Sequence, residues 1–101
     1  MRVFALRTLR EFWDGPSGYR DAEQPLRAWN REAELADWEV LADVKGRYRS
    51  ASFVGGNRVV FNVAGNKYRL IVHINYPART VFVRFIGTHE QYDAIRNIEA
   101  I

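Results

Sequence analysis

The chain has 101 residues, of which 48% are hydrophobic and 14% aromatic. That composition excludes disorder, and the length allows one small domain with a buried core, so residues 1–101 are read as a single unit. The absence of cysteine excludes a disulfide scaffold, a cysteine zinc site and a thiol nucleophile. Two histidines far apart in sequence are too few for an all-protein metal site, and neither a metal nor another cofactor is expected. The opening Met1–Arg7 lacks the apolar run of a signal peptide, and no stretch reaches the ~20 apolar residues of a membrane span. A soluble cytoplasmic protein without membrane contact is expected.

The formal net charge is only +3, but it is unevenly spread. Residues 1–44 hold 6 Arg against 9 Asp and Glu, net −3. Residues 45–101 hold 9 Lys and Arg against 3 Asp and Glu, net +6. No carboxylate falls between Val44 and His89, where Lys45, Arg47, Arg49, Arg58, Lys67, Arg69, Arg79 and Arg84 lie. Such asymmetry points to a face that meets a polyanion, nucleic acid first, although the acidic half could instead neutralise the fold internally.

In chain order, Met1–Leu6 alternates loosely and reads as a strand. Thr8 is placed to cap a short helix carrying Leu9, Phe12 and Trp13, which Asp14–Gly18 breaks. Ala22, Leu26, Trp29, Ala33 and Ala36 then form a helical stripe, with Pro25 tolerated in the first turn. One helical turn is expected at Leu41–Gly46. From Ser52 the period becomes two. Ser52–Val54, Arg58–Val63, Lys67–Asn75 and Thr80–Ile86 read as strands joined by short turns, an antiparallel meander. Gly87 is expected to end the last strand. Thr88-His89-Glu90-Gln91 is a capping box for a final helix bearing Tyr92, Ile95 and Ile98. The class is α+β, with two N-terminal helices on one sheet face and a short C-terminal helix.

Alternation assigns Tyr68, Leu70, Val72 and Ile74 to the core, together with Val59, Phe61, Val63, Val81, Val83 and Phe85. The other face collects Arg58, Asn62, Lys67, Arg69, His73 and Arg84, with Val60, Ile71, Phe82 and Ile86. This surface suits phosphate contacts, and it is also what an ordinary solvated sheet face looks like. A second constellation is His89, Tyr92, Asp93 and Arg96 on the last helix. At the first helical residue a cationic imidazole is disfavoured, so His89 is a candidate proton acceptor. The plain alternative is that His89 follows the cap, Tyr92 packs on the sheet and Asp93 pairs with Arg96. His73, between apolar strand neighbours, is expected to be structural, and the three tryptophans to be core. Together these residues could cut RNA without a metal. The ribose 2′-OH supplies the nucleophile, and the protein need only move protons and stabilise the phosphate.

The run Arg58-Val59-Val60-Phe61-Asn62-Val63-Ala64-Gly65-Asn66-Lys67-Tyr68-Arg69-Leu70-Ile71-Val72, with Phe82-Val83-Arg84-Phe85-Ile86-Gly87-Thr88-His89-Glu90-Gln91-Tyr92-Asp93, closely resembles the HigB toxins of bacterial type II toxin–antitoxin systems. Asp21–Trp29 and Ala36-Asp37-Trp38 resemble the helical part of that family. The resemblance implies a RelE-like fold and an mRNA interferase, an endoribonuclease that cuts translated mRNA in the ribosomal A site. It also implies a helix-turn-helix antitoxin, HigA, and operator DNA bound only through the toxin–antitoxin complex. Asn62, Asn66, Arg69, Arg84, His89, Tyr92 and Asp93 match the motif. By this likeness Arg69 and Arg84 contact the phosphate and its transition state. His89 is the general acid or base, with Tyr92 assisting. Lys67, Arg58, Asn62, Asn66 and His73 are expected to bind RNA. The alternative is a non-catalytic RNA-binding module on the same sheet, or a protein that binds an acidic partner.

Overall fold

A computed structural model describes residues 1–101. Strand β1 (Arg2–Phe4) leads to helix α1 (Leu6–Asp14), whose Leu9 and Trp13, four apart, are buried. Thr8 lies inside this helix rather than capping it. The N-cap is Ala5, which offers no side-chain cap. A 3-10 turn (Arg20–Ala22) runs into α2 (Glu23–Leu35), with Pro25 as its third residue, where a missing N–H is tolerated. Leu26, Trp29 and Ala33 form its buried stripe, and Ala36 terminates the helix with extended backbone instead of continuing it. The Arg27 guanidinium lies 4.8 Å from the Trp13 ring and joins α2 to α1.

The stretch that promised one helical turn is a third helix, α3 (Leu41–Arg47), with Val44 buried. Its start is held by Asp43, whose carboxylate accepts from the Glu39 and Val40 N–H groups at 2.9 and 3.2 Å. Three helices, not two, therefore cover one face of the sheet, since Leu9, Trp13, Leu26, Trp29, Ala33 and Val44 share one apolar cluster with the strands.

The strands are β2 (Ser52–Val54), β3 (Arg58–Val63), β4 (Tyr68–Asn75) and β5 (Thr80–Thr88). The sheet order is β1-β5-β4-β3-β2. β2 to β5 form the antiparallel meander, but β1 adds to β5 in parallel, with Phe4 beside Phe82, so the sheet is mixed. Lys67 belongs to the β3–β4 turn, and β5 runs two residues beyond Ile86, through Gly87. Helix α4 (His89–Asp93) is five residues long, and Ile95 and Ile98 lie past its end, Ile98 opening a second 3-10 turn, Ile98–Ala100.

One irregularity changes the faces. Ile71 pairs with Phe85 and Val72 with Val83, so Arg84 is an extra residue in β5, a β-bulge. Past a one-residue insertion every side chain changes face. Phe85 leaves the expected core position for the outer face, and Ile86 takes its place against the core. Gly87 follows at a point where a Cβ would sit 2.6 Å from both the Phe85 ring and the Gln91 side chain. We expect Gly87→Ala to destabilise the protein by about 1–3 kcal/mol, read as a lower urea midpoint at unchanged slope, because two packed side chains must move.

Candidate active site

The expected site residues separate into two clusters. The first forms where the β3–β4 turn meets the start of α4. Ala64, Gly65 and Asn66 all have positive φ, with Asn66 at 89°. Asparagine tolerates this left-handed conformation better than most residues. The Asn66 main-chain oxygen then meets His89 Nε2, and its side-chain oxygen accepts from Arg69 Nη1 at 2.7 Å. The Arg69 guanidinium lies 5.5 Å from the centre of the Tyr92 ring. Asn62 stands opposite Arg69 in the strand register and donates to the Ser50 carbonyl at 3.4 Å.

The reciprocal cap at Thr88 sets the position of His89. The Gln91 N–H donates to Thr88 Oγ1 at 3.2 Å, and Gln91 Oε1 accepts from the Thr88 N–H at 2.9 Å. A carbonyl oxygen can only accept, so His89 Nε2 must donate. In the neutral ring Nδ1 is then the free acceptor. Asp93 and Arg96 are exposed and form no ion pair with each other or with other residues.

Lys67 does not join the outer sheet face. It turns toward the helical layer and pairs with Asp21, which also accepts from the Tyr68 hydroxyl. The Lys67 hydrogen bond, then that from Tyr68, holds the Asp21 carboxyl below the ordinary value of 3.8. The same contact pushes Lys67 up, so its amine stays protonated. An open cleft of about 530 Å³ lies beside this pair, between the loop before α2 and the Thr88–Gln91 cap, and His89 lines it. Asp21 was absent from the sequence-based candidates. Its only signal is that it lies in the helical part of the family-like stretch.

The second cluster lies farther along the sheet. Arg58 donates to the Ile101 main-chain oxygen through Nε and Nη2 at 3.1 and 2.6 Å, and Arg84 through Nε at 3.2 Å. His73 pairs with Arg58 in the register, and burial, then Arg58 and Arg84, push its pKa below 6.5, so it is neutral at pH 7. Arg84 is thus grouped with Arg58 and His73, not with His89. His73 is four residues from Arg69 on β4, which separates the clusters by ~13 Å.

Nor is the outer face open throughout. Val60 and Ile71 point outward yet are 3% and 0% exposed, while all three N-terminal helices lie on the other side. The segment ending at Ile101 crosses here, and it rests on the β2–β3 turn, where a Cβ on Gly56 would meet the Glu99 carbonyl at 2.6 Å. The acidic half also neutralises part of the basic half. Arg47 pairs with Glu32, Lys67 with Asp21, and Arg79 with Asp37 and Glu39. Arg58, Arg69 and Arg84 have no Asp or Glu partner.

Fold and site together define a small α+β protein in which a five-stranded sheet carries arginines without acidic side-chain partners beside a helix that Thr88 caps and His89 opens. The chain belongs to the HigB toxin family, described as the RelE-like toxic component of a toxin–antitoxin system, whose family model matches residues 22–95. Its partner is therefore an antitoxin. No curated protein matches the chain. No helix is long and apolar enough to cross a membrane. The matched span contains both clusters except Ile101, and it excludes β1.

The depressed Asp21 pKa sets the sign of a pH effect. Its contribution to stability is complete above the ordinary carboxylate value and fades as pH falls through the lower folded value. Thermal melts from pH 6 to pH 2 should show this acid limb in the wild type and lack it in Asp21→Asn. Superimposable limbs would refute the Asp21–Lys67 contact.

Proposed function

We propose that this toxin, acting as one domain over residues 1–101, is a ribosome-dependent endoribonuclease that cuts translated mRNA in the A site. One observation carries the reading: a single residue, Asn66, holds both His89 and Arg69, so that a free imidazole acceptor stands beside an unneutralised guanidinium. His89 Nδ1 takes the proton of the ribose 2′-OH, whose oxygen attacks the adjacent phosphorus. Arg69 stabilises the charge that gathers on the phosphoryl oxygens. The P–O5′ bond breaks, and the leaving oxygen takes a proton from Tyr92, held under Arg69. The products are a 2′,3′-cyclic phosphate and a 5′-hydroxyl. The side chains present are sufficient for these steps, and no metal takes part.

In this reading Asn62 and Lys67 line the approach of the strand to the reacting phosphate. Arg84 acts with Arg58 and His73 on a neighbouring part of the RNA rather than on the scissile group. The cognate antitoxin is of the HigA type, with a helix-turn-helix domain that brings the complex to operator DNA, and the protein works in the cytoplasm.

In a purified translation system, wild-type protein should generate new mRNA ends only while the message is translated. His89→Ala and Arg69→Ala should each slow cleavage by about 10²-fold or more and still bind the antitoxin. Intact messages accompanied by salt-sensitive RNA binding would instead support the non-catalytic binding module.

A further inference from the structure

A row of flat side chains crosses the outer face at the edge of the sheet. Phe4 of β1 is beside Phe82 of β5, Phe82 is beside His73 of β4, and His73 is beside Arg58 of β3. The Phe4 and Phe82 rings are stacked, with centroids 5.3 Å apart and planes 9° apart. Phe82 and His73 continue the stack at 6.2 Å and 21°. The Arg2 guanidinium covers the outer ring at 4.9 Å from the Phe4 centroid. Phe4 is 48% exposed, although a phenyl ring on a folded strand gains most when it is buried.

None of this serves the core. Phe4 and Phe82 lie outside the apolar cluster. The row carries no carboxylate, and Arg2 and Arg58 stand at its two ends with Arg84 on the bulge beside it. An apolar face for a protein partner would not need cations at both ends. A row of parallel rings framed by guanidinium groups matches the alternation of base and phosphate along a single strand of nucleic acid. Arg2 on Phe4 already shows that the ring accepts a flat group.

We propose that Phe4, backed by the stacked Phe82 and His73 rings, forms a base-stacking subsite for single-stranded RNA. It lies ~13 Å from the His89 cluster along β4, with Arg2, Arg58 and Arg84 meeting the flanking phosphates. The proposal rests on RNA being the toxin's ligand. A base replaces the Arg2 guanidinium on Phe4, and a phosphate oxygen replaces the Ile101 main-chain oxygen between Arg58 and Arg84.

The test is fluorescence anisotropy of a short 2′-O-methyl oligoadenylate, which cannot be cut, with the full chain. An abasic oligomer of equal charge is the second probe. Phe4→Leu and Phe82→Leu keep apolar volume and remove the ring. Each should weaken oligoadenylate binding about tenfold, within the range of base–aromatic stacking, at unchanged salt slope. Neither should alter abasic binding. Arg58→Gln should lower the salt slope by about one for both probes, and His89→Ala should leave oligoadenylate affinity unchanged. Thermal melts keep the two phenylalanine variants comparable with the wild type. Wild-type affinity for oligoadenylate in both folded leucine variants overturns the subsite, and cleavage lost in His89→Ala then shows that the catalytic reading survives it. Wild-type protein that binds neither probe overturns both readings.

Discussion

The extra residue at Arg84 is the constraint on which the His89 cluster depends. Before the bulge β5 is in register with β4 such that Val83 faces Val72, and after it Ile86 faces Leu70 and Thr88 faces Tyr68. A regular ladder would place Gly87 opposite Tyr68 and start α4 one residue later and on the opposite face. His89 could not then reach the Asn66 carbonyl. Arg84 faces outward beside Arg58 by the alternation that precedes the bulge, and the bulge places Phe85 where its ring and the Gln91 cap leave no room for a Cβ at residue 87. A single backbone irregularity thus sets where the histidine falls, while the arginine keeps the face that strand alternation gives it.

Electrostatics then sorts the basic residues. Those within reach of the helical layer are neutralised by its carboxylates, as at Lys67 with Asp21 and Arg79 with Asp37. The outer face carries no acidic residue on its strands and none of the three N-terminal helices covers it, so Arg69 meets the neutral side-chain oxygen of Asn66, while Arg58 and Arg84 meet the Ile101 main-chain oxygen. Hydrogen bonds to neutral oxygens position a guanidinium without cancelling its charge. These are the groups a phosphate can recruit by exchanging one acceptor for another. The exposed ion pairs, by contrast, add little stability each and mainly fix orientation.

Much was legible from the residues. The α+β class, the β2–β5 meander, its turns and the Thr88 capping box follow from local rules. Side-chain period, turn chemistry and caps act within a few residues. The buried stripe of α2 follows in the same way, but a third helix was hidden because α3 buries only Val44. The parallel seat of β1 depends on a partner some 78 residues distant, Thr80 for Arg2, for which no local pattern exists.

For the site, the sequence by itself determined the chemical inventory: a metal-ligand-poor chain, a basic sheet, and His89 on a capped helix start. Only the tertiary structure decided how that inventory is divided. It sent Lys67 to Asp21, joined Arg69 and His89 through Asn66, and grouped Arg84 with Arg58 and His73 ~13 Å away. Strand alternation is a one-dimensional rule, and it fails at a bulge and cannot see a tail that folds back over a sheet. Residue type is encoded position by position, whereas a site is made by register and long-range packing, which depend on the whole chain at once.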